Sequence, residues 1–178
     1  MGDGLACSIR PYAPEDAAAL WEAARESVGE VHRWLAWCHP QYSVAEAEEW
    51  IRSRVALAAE GREYTFAIVG AEGRFLGACG LNQINRTHRF ANLGYWVRTS
   101  ATRQGVATRA VRQVADFAFG NTDLMRLEIV CAVGNRPSQR VAERAGAVRE
   151  GVLRHRLLLH GQPVDAVLYS LVRGARTP

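Results

Sequence analysis

The residues best suited to chemistry lie in the run Arg98-Thr-Ser-Ala-Thr-Arg-Gln-Gly-Val-Ala-Thr-Arg-Ala-Val111. An apolar, strand-like segment, Leu93-Gly-Tyr-Trp-Val97, leads into it, and a helix-like segment ending near Phe119 leads out. Between them stand small residues at 101, 107 and 110, a glycine at 105, and hydroxyls at Thr99, Ser100, Thr102 and Thr108. A strand that turns through small residues into a helix gathers unpaired backbone N–H groups at the positive end of the helix dipole. That is a site for an anion such as a phosphate. Gly105 has no Cβ, so the backbone there can turn sharply or approach a ligand closely. The same residues also suit an ordinary strand-to-helix turn that contains one glycine. A second candidate is Asn135-Arg-Pro-Ser138, whose serine hydroxyl suits a helix N-cap. Cys7, Cys38, Cys79 and Cys131 are widely spaced, with no paired metal spacing, and no metal site is expected. Cys79 and Cys131 sit inside apolar strand-like runs, where a free thiol behaves as a small hydrophobe.

The elements that must position these residues follow from periodicity. Leu5 to Arg10 is a short strand ended by Pro11. Pro14-Glu-Asp16 starts a helix, with proline early and acids in the first turn, followed by Ala17, Leu20, Trp21 and Ala24 at helical spacing. The aromatic stretch from Val31 to Pro40 is irregular. Its residues His32, Trp34 and Trp37 suit either a lid over a substrate or the apolar seam between two helices. Ser43 with Glu46 three residues on reads as a capping box, and the helix after it turns Ala47, Trp50, Ile51, Val55 and Ala58 inward before Gly61 stops it. Strands are expected over Tyr64 to Val69, Phe75 to Leu81 and Phe90 to Val97, and their short connections imply antiparallel pairing. Gly94 in the third marks a bulge or a close approach by a ligand. A helix from Arg103 to Phe119 buries Ala107, Ala110, Val111, Val114 and Ala118. The strand Leu124 to Ala132 comes after it and should run parallel to the 90–97 strand. A short helix, Gln139 to Ala145, is closed by Gly146. Two last strands, Ala147 to Leu159 and Val164 to Val172, meet at the hairpin-like turn His160 to Pro163. The order β-α-α-β-β-β-α-β-α-β-β describes one α/β domain over 5–173 with a mixed, mostly antiparallel sheet.

The chain's 178 residues suffice for one domain with a substantial core. Its net charge of +4 comes from arginine, since the chain has no lysine. The positive residues are dispersed among acids and match no nucleic-acid-binding module, so no nucleic-acid partner is expected. No apolar run approaches a membrane span, and Met1 to Gly4 lack the features of a secretory signal. With its unpaired thiols, this reads as a reduced, cytoplasmic protein that does not engage membranes.

The order of elements, with these residues in these slots, resembles the GCN5-related N-acetyltransferases. Within them it is similar to the branch of the ribosomal-protein N-terminal acetyltransferases RimJ and RimL. The resemblance covers nearly the full chain. It is carried by Gly80-Leu-Asn82, Gly94-Tyr-Trp-Val97, Leu127-Glu-Ile129, Asn135-x-x-Ser138, Ala142 through Gly146, Glu150-Gly-Val-Leu-Arg154, Gly161, and Asp165 through Tyr169. The family's acyl-CoA loop has Arg or Gln, two variable residues, Gly, one variable residue, then Gly or Ala. Thr102-Arg-Gln-Gly105-Val-Ala107 fits at Gly105 and Ala107 and departs at Thr102. The resemblance implies an acyl-CoA N-acyltransferase fold with a seven-stranded sheet and about four helices, and acetyl-CoA as co-substrate.

The resemblance further implies that the CoA pyrophosphate lies on the amides of Arg103, Gln104, Gly105, Val106, Ala107 and Thr108. Arg98, Arg103 or Arg109 would supply charge in place of the residue lost at 102, though each equally suits a solvated surface. The pantetheine arm pairs with Tyr95, Trp96 and Val97, and an N–H of Trp96 or Val97 is the natural oxyanion donor. Ser138 matches the branch's serine that protonates the thioester sulfur, a role that competes with N-capping. Asn135 contacts the pantetheine or holds the turn. Asn82, Tyr95, His32 and Trp34 would line the acceptor side. The branch's catalytic glutamate falls close to Leu157, where there is no acid; His155 and Arg156 are nearby but are not obvious replacements, and Glu128, Glu150 and Asp165 are other carboxylates on strands or their ends. An α-amine of pKa about 8 is roughly a tenth neutral at pH 7, whereas a lysine amine is less than about a thousandth neutral, so a weak base favours α-amines. The implied acceptor is the N-terminus of a protein or peptide. A small amine, or a non-catalytic acyl-CoA sensor, are the alternatives. Exposed apolar residues on the last strands would point to a homodimer.

Overall fold

Strand and helix alternate much as the periodicity requires. The computed structural model describes residues 5–174. Its order is β1 (Ser8–Pro11), α1 (Ala17–Val31), α2 (Val44–Ala59), β2 (Tyr64–Val69), β3 (Phe75–Asn85), β4 (Phe90–Val97), α3 (Val106–Asn121), β5 (Arg126–Ala132), α4 (Arg136–Ala145), β6 (Val148–Leu159) and β7 (Gln162–Val172). The strands form one sheet in the order β1-β2-β3-β4-β5-β7-β6. Every neighbouring pair is antiparallel except β4 and β5, which α3 connects as a crossover. Met1 to Gly4, read above for a targeting signal, lie outside the described residues.

Period-two alternation sorts side chains to two cores. Ala67, Val69, Ala78 and Trp96 face α1 and α2, where they meet Leu20, Ala23, Ala24 and Ile51. Phe66, Ile68, Cys79, Leu81 and Leu93 turn to the other face, against Val106, Ala110, Val111 and Val114 of α3. Ser43 and Glu46 form the expected capping box, with Ser43 Oγ accepting from the Glu46 amide at 3.2 Å and Glu46 Oε2 accepting from the Ser43 amide at 2.9 Å. Of the residues expected to face inward from α2, Ala47 and Ile51 are buried, while Val55 is 48% exposed. One turn beyond Ile51 the helix no longer has the core beneath it.

Several boundaries differ from the expected ones: β1 is shifted to Ser8–Pro11, β5 starts at Arg126, α4 opens at Arg136 behind its Asn135 cap, and three further differences have evident local reasons. The third helix begins at Val106 rather than near Arg103, because Arg103 and Gly105 adopt left-handed conformations (φ 61° and 78°) that no helix can include. Ala107 consequently lies in the first turn and lines a crevice instead of the core. β3 runs on to Asn85 through an irregularity between Asn82 and Asn85. The last hairpin turns on His160 and Gly161 alone, both with positive φ, as a two-residue connection favours.

The feature that shapes the site is a gap in the sheet. β4 and β5 pair only where Phe90, Ala91 and Asn92 meet Arg126, Leu127 and Glu128. From Leu93 to Val97, β4 keeps its partner β3 but has none in β5, while β5 remains paired to β7 throughout.

Candidate active site

A cavity of 1020 Å³ opens over that gap. Its walls are the free edge of β4, the end of β5, the turn before α3 and the first residues of α4. Strand alternation fixes which peptide groups face it. The Arg98 amide donates to the Leu76 carbonyl at 2.8 Å, and a Cβ built on Gly77 would stand 2.2 Å from the Trp96 carbonyl oxygen. Trp96 and Arg98 therefore present their peptide groups to β3, and Tyr95 and Val97 present theirs to the gap. Of the two oxyanion donors expected, Val97 is thus aimed into the cavity and Trp96 is not. Trp96 nevertheless lines the cavity wall.

At one end of the cavity lies the turn before α3. The first intrahelical bond runs from the Arg109 amide to the Gly105 carbonyl (3.0 Å), so the amides of Val106, Ala107 and Thr108 precede the ladder. Thr102, the departure from the family loop, donates its hydroxyl to the Thr99 carbonyl at 2.8 Å and so holds the turn. Arg103, Gly105, Val106, Ala107 and Thr108 all line the cavity. Gln104 does not: its carbonyl accepts from the Leu5 amide (3.0 Å) and its side chain donates to the Ser100 carbonyl (2.9 Å).

Arg98 is a correction. Its guanidinium points away from the cavity, donating to Glu22 (2.9 Å), to Glu26 and to the Phe75 carbonyl (3.1 Å), and the residue is 6% exposed. The guanidinium beside Glu26, helped by the Ser100 amide at 2.6 Å, holds that carboxyl down to about 2. A buried arginine spends its charge on paired carboxylates, and this one ties the turn to α1.

The opposite wall carries Ser138. Asn135, not Ser138, caps α4: Asn135 Oδ1 accepts from the Ser138 amide at 3.2 Å. The serine hydroxyl is thereby left for other partners, 3.0 Å from the Tyr95 phenol and 3.2 Å from Cys131 Sγ. The phenol also donates to the Ser138 carbonyl at 2.9 Å, bridging the two walls. Burial pushes the Tyr95 phenol well above its ordinary range, and burial likewise raises the Cys131 thiol, so both hold their protons. Sequence reading took Cys131 as a core residue, and it is buried; its contact with Ser138 appears only once β5 parts from β4 and α4 lies against it.

On the acceptor side the aromatic residues part company. Trp34 lines the cavity, its ring close to Gly134 beyond the end of β5 and the Arg33 guanidinium 4.3 Å above it. Trp37 instead packs edge to face on Trp96 and Tyr42, both at 5.3 Å, at the border of the seam beneath α1 and α2, and stays 36% exposed. His32 does not line the cavity: its carbonyl accepts from His160 Nε2 at 2.9 Å and its ring lies against that histidine, because the β6–β7 turn reaches across to it. Asn82 lines the wall and accepts from Asn92 Nδ2 at 2.8 Å.

The carboxylates weighed as bases are occupied elsewhere. Glu128 and Glu150 both hold Arg126, which with Ser170 keeps Glu150 down at about 2. Asp165 accepts from the His155 amide at 2.8 Å, inside a bulge of β6 that sets His155 outside the cavity wall. Leu157 does line the cavity. Among the described residues of that wall the single carboxylate is Glu30, which sequence reading missed. Its spacing from Glu22 and Glu26 placed it on the same face of α1, and that was the available sign. Among the described residues there is no cluster of three or more His, Cys, Asp or Glu able to hold a metal, and no helix is long and apolar enough to cross a membrane.

The model of the acetyltransferase (GNAT) domain matches residues 7–148. YdaF of Bacillus subtilis (strain 168) is 31% identical over 171 residues, 93% of this chain and 91% of its own. The ribosomal-protein-serine acetyltransferase of Escherichia coli (strain K12) is 28% identical over 135 residues, 75% of each chain. Among solved structures, Mycobacterium smegmatis RimJ in complex with CoA-disulfide superposes with a TM-score of 0.86 at 27% identity, over 93% of this chain and 81% of that one.

Proposed function

The chain belongs to the acetyltransferase (GNAT) family and is an acetyl-CoA-dependent N-acetyltransferase, and from this premise we propose that it acetylates the N-terminal α-amine of a protein or peptide. The observation that carries the reading is the splayed strand pair, with loop amides at one end and the Ser138 hydroxyl on the far wall. Acetyl-CoA, when bound, supplies an activated acyl group on a sulfur that leaves readily. The amides of Val106, Ala107 and Thr108, with the Arg103 side chain beside them, suit its diphosphate. The gap-facing N–H and C=O groups of Tyr95 and Val97 suit an extended amide-bearing arm laid down as a missing strand. Either N–H can then donate to a carbonyl oxygen as negative charge grows on it.

Ser138 is the group we assign to protonate the leaving sulfur; Asn135 leaves its hydroxyl free for that role by capping α4 itself. With no carboxylate at Leu157, and with Glu30 turned to the Thr99 hydroxyl (3.5 Å) at the acyl-CoA loop end of the cavity, deprotonation of the acceptor falls to water, a demand that a weakly basic α-amine meets and a lysine does not. Trp34 and Asn82 would line the path of the acceptor. The ribosomal-protein acetyltransferase among the relatives supports a protein acceptor. That relative and the four free thiols support a cytoplasmic setting. Val148, Val152 and Leu158, exposed on the edge strand β6, support a homodimer, which sedimentation would check.

The test is acetyl transfer to a randomised peptide library, read by mass alongside release of free thiol. Acetylation confined to peptide α-amines is the expected result. Faster acetylation of free amino acids than of peptides beginning with the same residue would overturn the protein acceptor.

A further inference from the structure

The Tyr95 phenol has one proton and two oxygen neighbours, both on Ser138: the main-chain carbonyl at 2.9 Å and the hydroxyl at 3.0 Å. A carbonyl can only accept. The phenol proton therefore goes to the carbonyl, and the contact between the two hydroxyls has Ser138 as its donor. Cys131, with Sγ 3.2 Å from Ser138 Oγ, then supplies the S–H that Oγ accepts. The result is a directed chain from the Cys131 thiol, through the Ser138 hydroxyl, to the Tyr95 oxygen and on to the Ser138 carbonyl. The Cys131 thiol also lies within reach of the Tyr95 phenol, so the three groups form one closed cluster in which the phenol is the sole donor to the carbonyl.

We propose that Tyr95 is a positioning residue for acyl transfer, holding the Ser138 hydroxyl in one orientation and donating to its oxygen when that hydroxyl turns to the leaving sulfur. The inference rests on the reading of Ser138 as proton donor. It differs from the role expected for Tyr95, the lining of the acceptor side. In the transfer, the Ser138 O–H bond breaks and an S–H bond forms, and the electron pair stays on Oγ. The phenol O–H, which at rest donates to the same residue's carbonyl, swings to donate to Oγ, where the Cys131 S–H also points. Tyr95 and Cys131 keep their protons, and Oγ is reprotonated by the proton that the acceptor nitrogen sheds as its amide forms. Tyr95 reaches Ser138 from β4, across the gap, so the tyrosine also registers one wall of the cavity against the other.

The test is a double-mutant cycle in steady-state acetyl transfer, using Tyr95→Phe, Ser138→Ala and the pair together. Tyr95→Phe keeps the ring and removes only the oxygen. It is expected to lower kcat about tenfold with KM for acetyl-CoA unchanged. The double variant is expected to be no slower than Ser138→Ala alone, an outcome that a merely structural tyrosine would not give. Losses that multiply in the double variant, or an unchanged Tyr95→Phe, would overturn the proposal and leave Ser138 in its role. An unaffected Ser138→Ala would remove the proton-donor reading itself, and this inference with it. Loss of the CoA-dependent thermal shift in Tyr95→Phe would also overturn it, since the tyrosine would then be supporting the wall and not the hydroxyl.

Discussion

Glu26 and Ser138 show how much one residue's role depends on partners far away in the chain. Glu26 meets Arg98 and the Ser100 amide across more than seventy positions, and its carboxyl is held at about 2 against a usual 4.5. A depressed carboxylate contributes stability that is complete above its unfolded value and lost as pH falls through its folded one. Thermal melts should therefore show the midpoint falling as pH drops from about 4.5 to about 2, and Glu26→Gln should flatten that descent while lowering the plateau near neutrality. The screening of a partly exposed pair makes the effect smaller in high salt. For Ser138 the expected outcome of Ser138→Ala is a fall in kcat of roughly tenfold or more, with CoA affinity retained, checked by calorimetry beside turnover. The hydroxyl's availability was half legible: Asn135-x-x-Ser138 showed that one of the two residues caps, and only the fold shows that Asn135 does. Arg98 was misread for the same reason. Its charge and its place beside the acyl-CoA loop were visible, whereas Glu22 and Glu26 reach it only once α1 lies on the sheet.

At the scale of elements, local chemistry was a good guide wherever the cause was local. The Ser43–Glu46 box, the stop at Gly146 and the strands at 64–69 and 90–97 all follow from neighbours in sequence. The start of α3 did not, because Arg103 takes a left-handed conformation that its residue type does not favour. Gly77 is a similar case on β3. Its φ is +151°, and any Cβ there would collide with the Trp96 carbonyl at 2.2 Å. Gly77→Ala should cost more than about 3 kcal/mol in urea unfolding. It should also raise KM for acetyl-CoA, because the strand it would push aside is the one whose Val97 peptide faces the cavity.

For the whole molecule, the connectivity and the family were readable from the order of elements and the motifs in their slots. The incomplete pairing of β4 with β5 was only hinted at by Gly94. A Cβ at Gly94 would meet nothing nearer than Asn92 Nδ2 at 4.0 Å, so the glycine sits beside open space and does not mark a close approach by another chain segment. A ligand that binds only the folded form at a hundred times its Kd adds about 2.7 kcal/mol. For a chain of this length that should raise the melting midpoint by roughly 5–10 °C when CoA is added. The same gap has a mechanical meaning. Between the four-stranded portion β1 to β4 and the three-stranded portion β5, β7 and β6, the backbone ladder consists of three residue pairs, so in main-chain hydrogen bonds the sheet is two plates joined at one corner. Deuterium should enter the Tyr95 and Val97 amides quickly in the free enzyme and slowly once the slot is filled. Substrate loading would then double as the step that fuses the two plates into a continuous sheet.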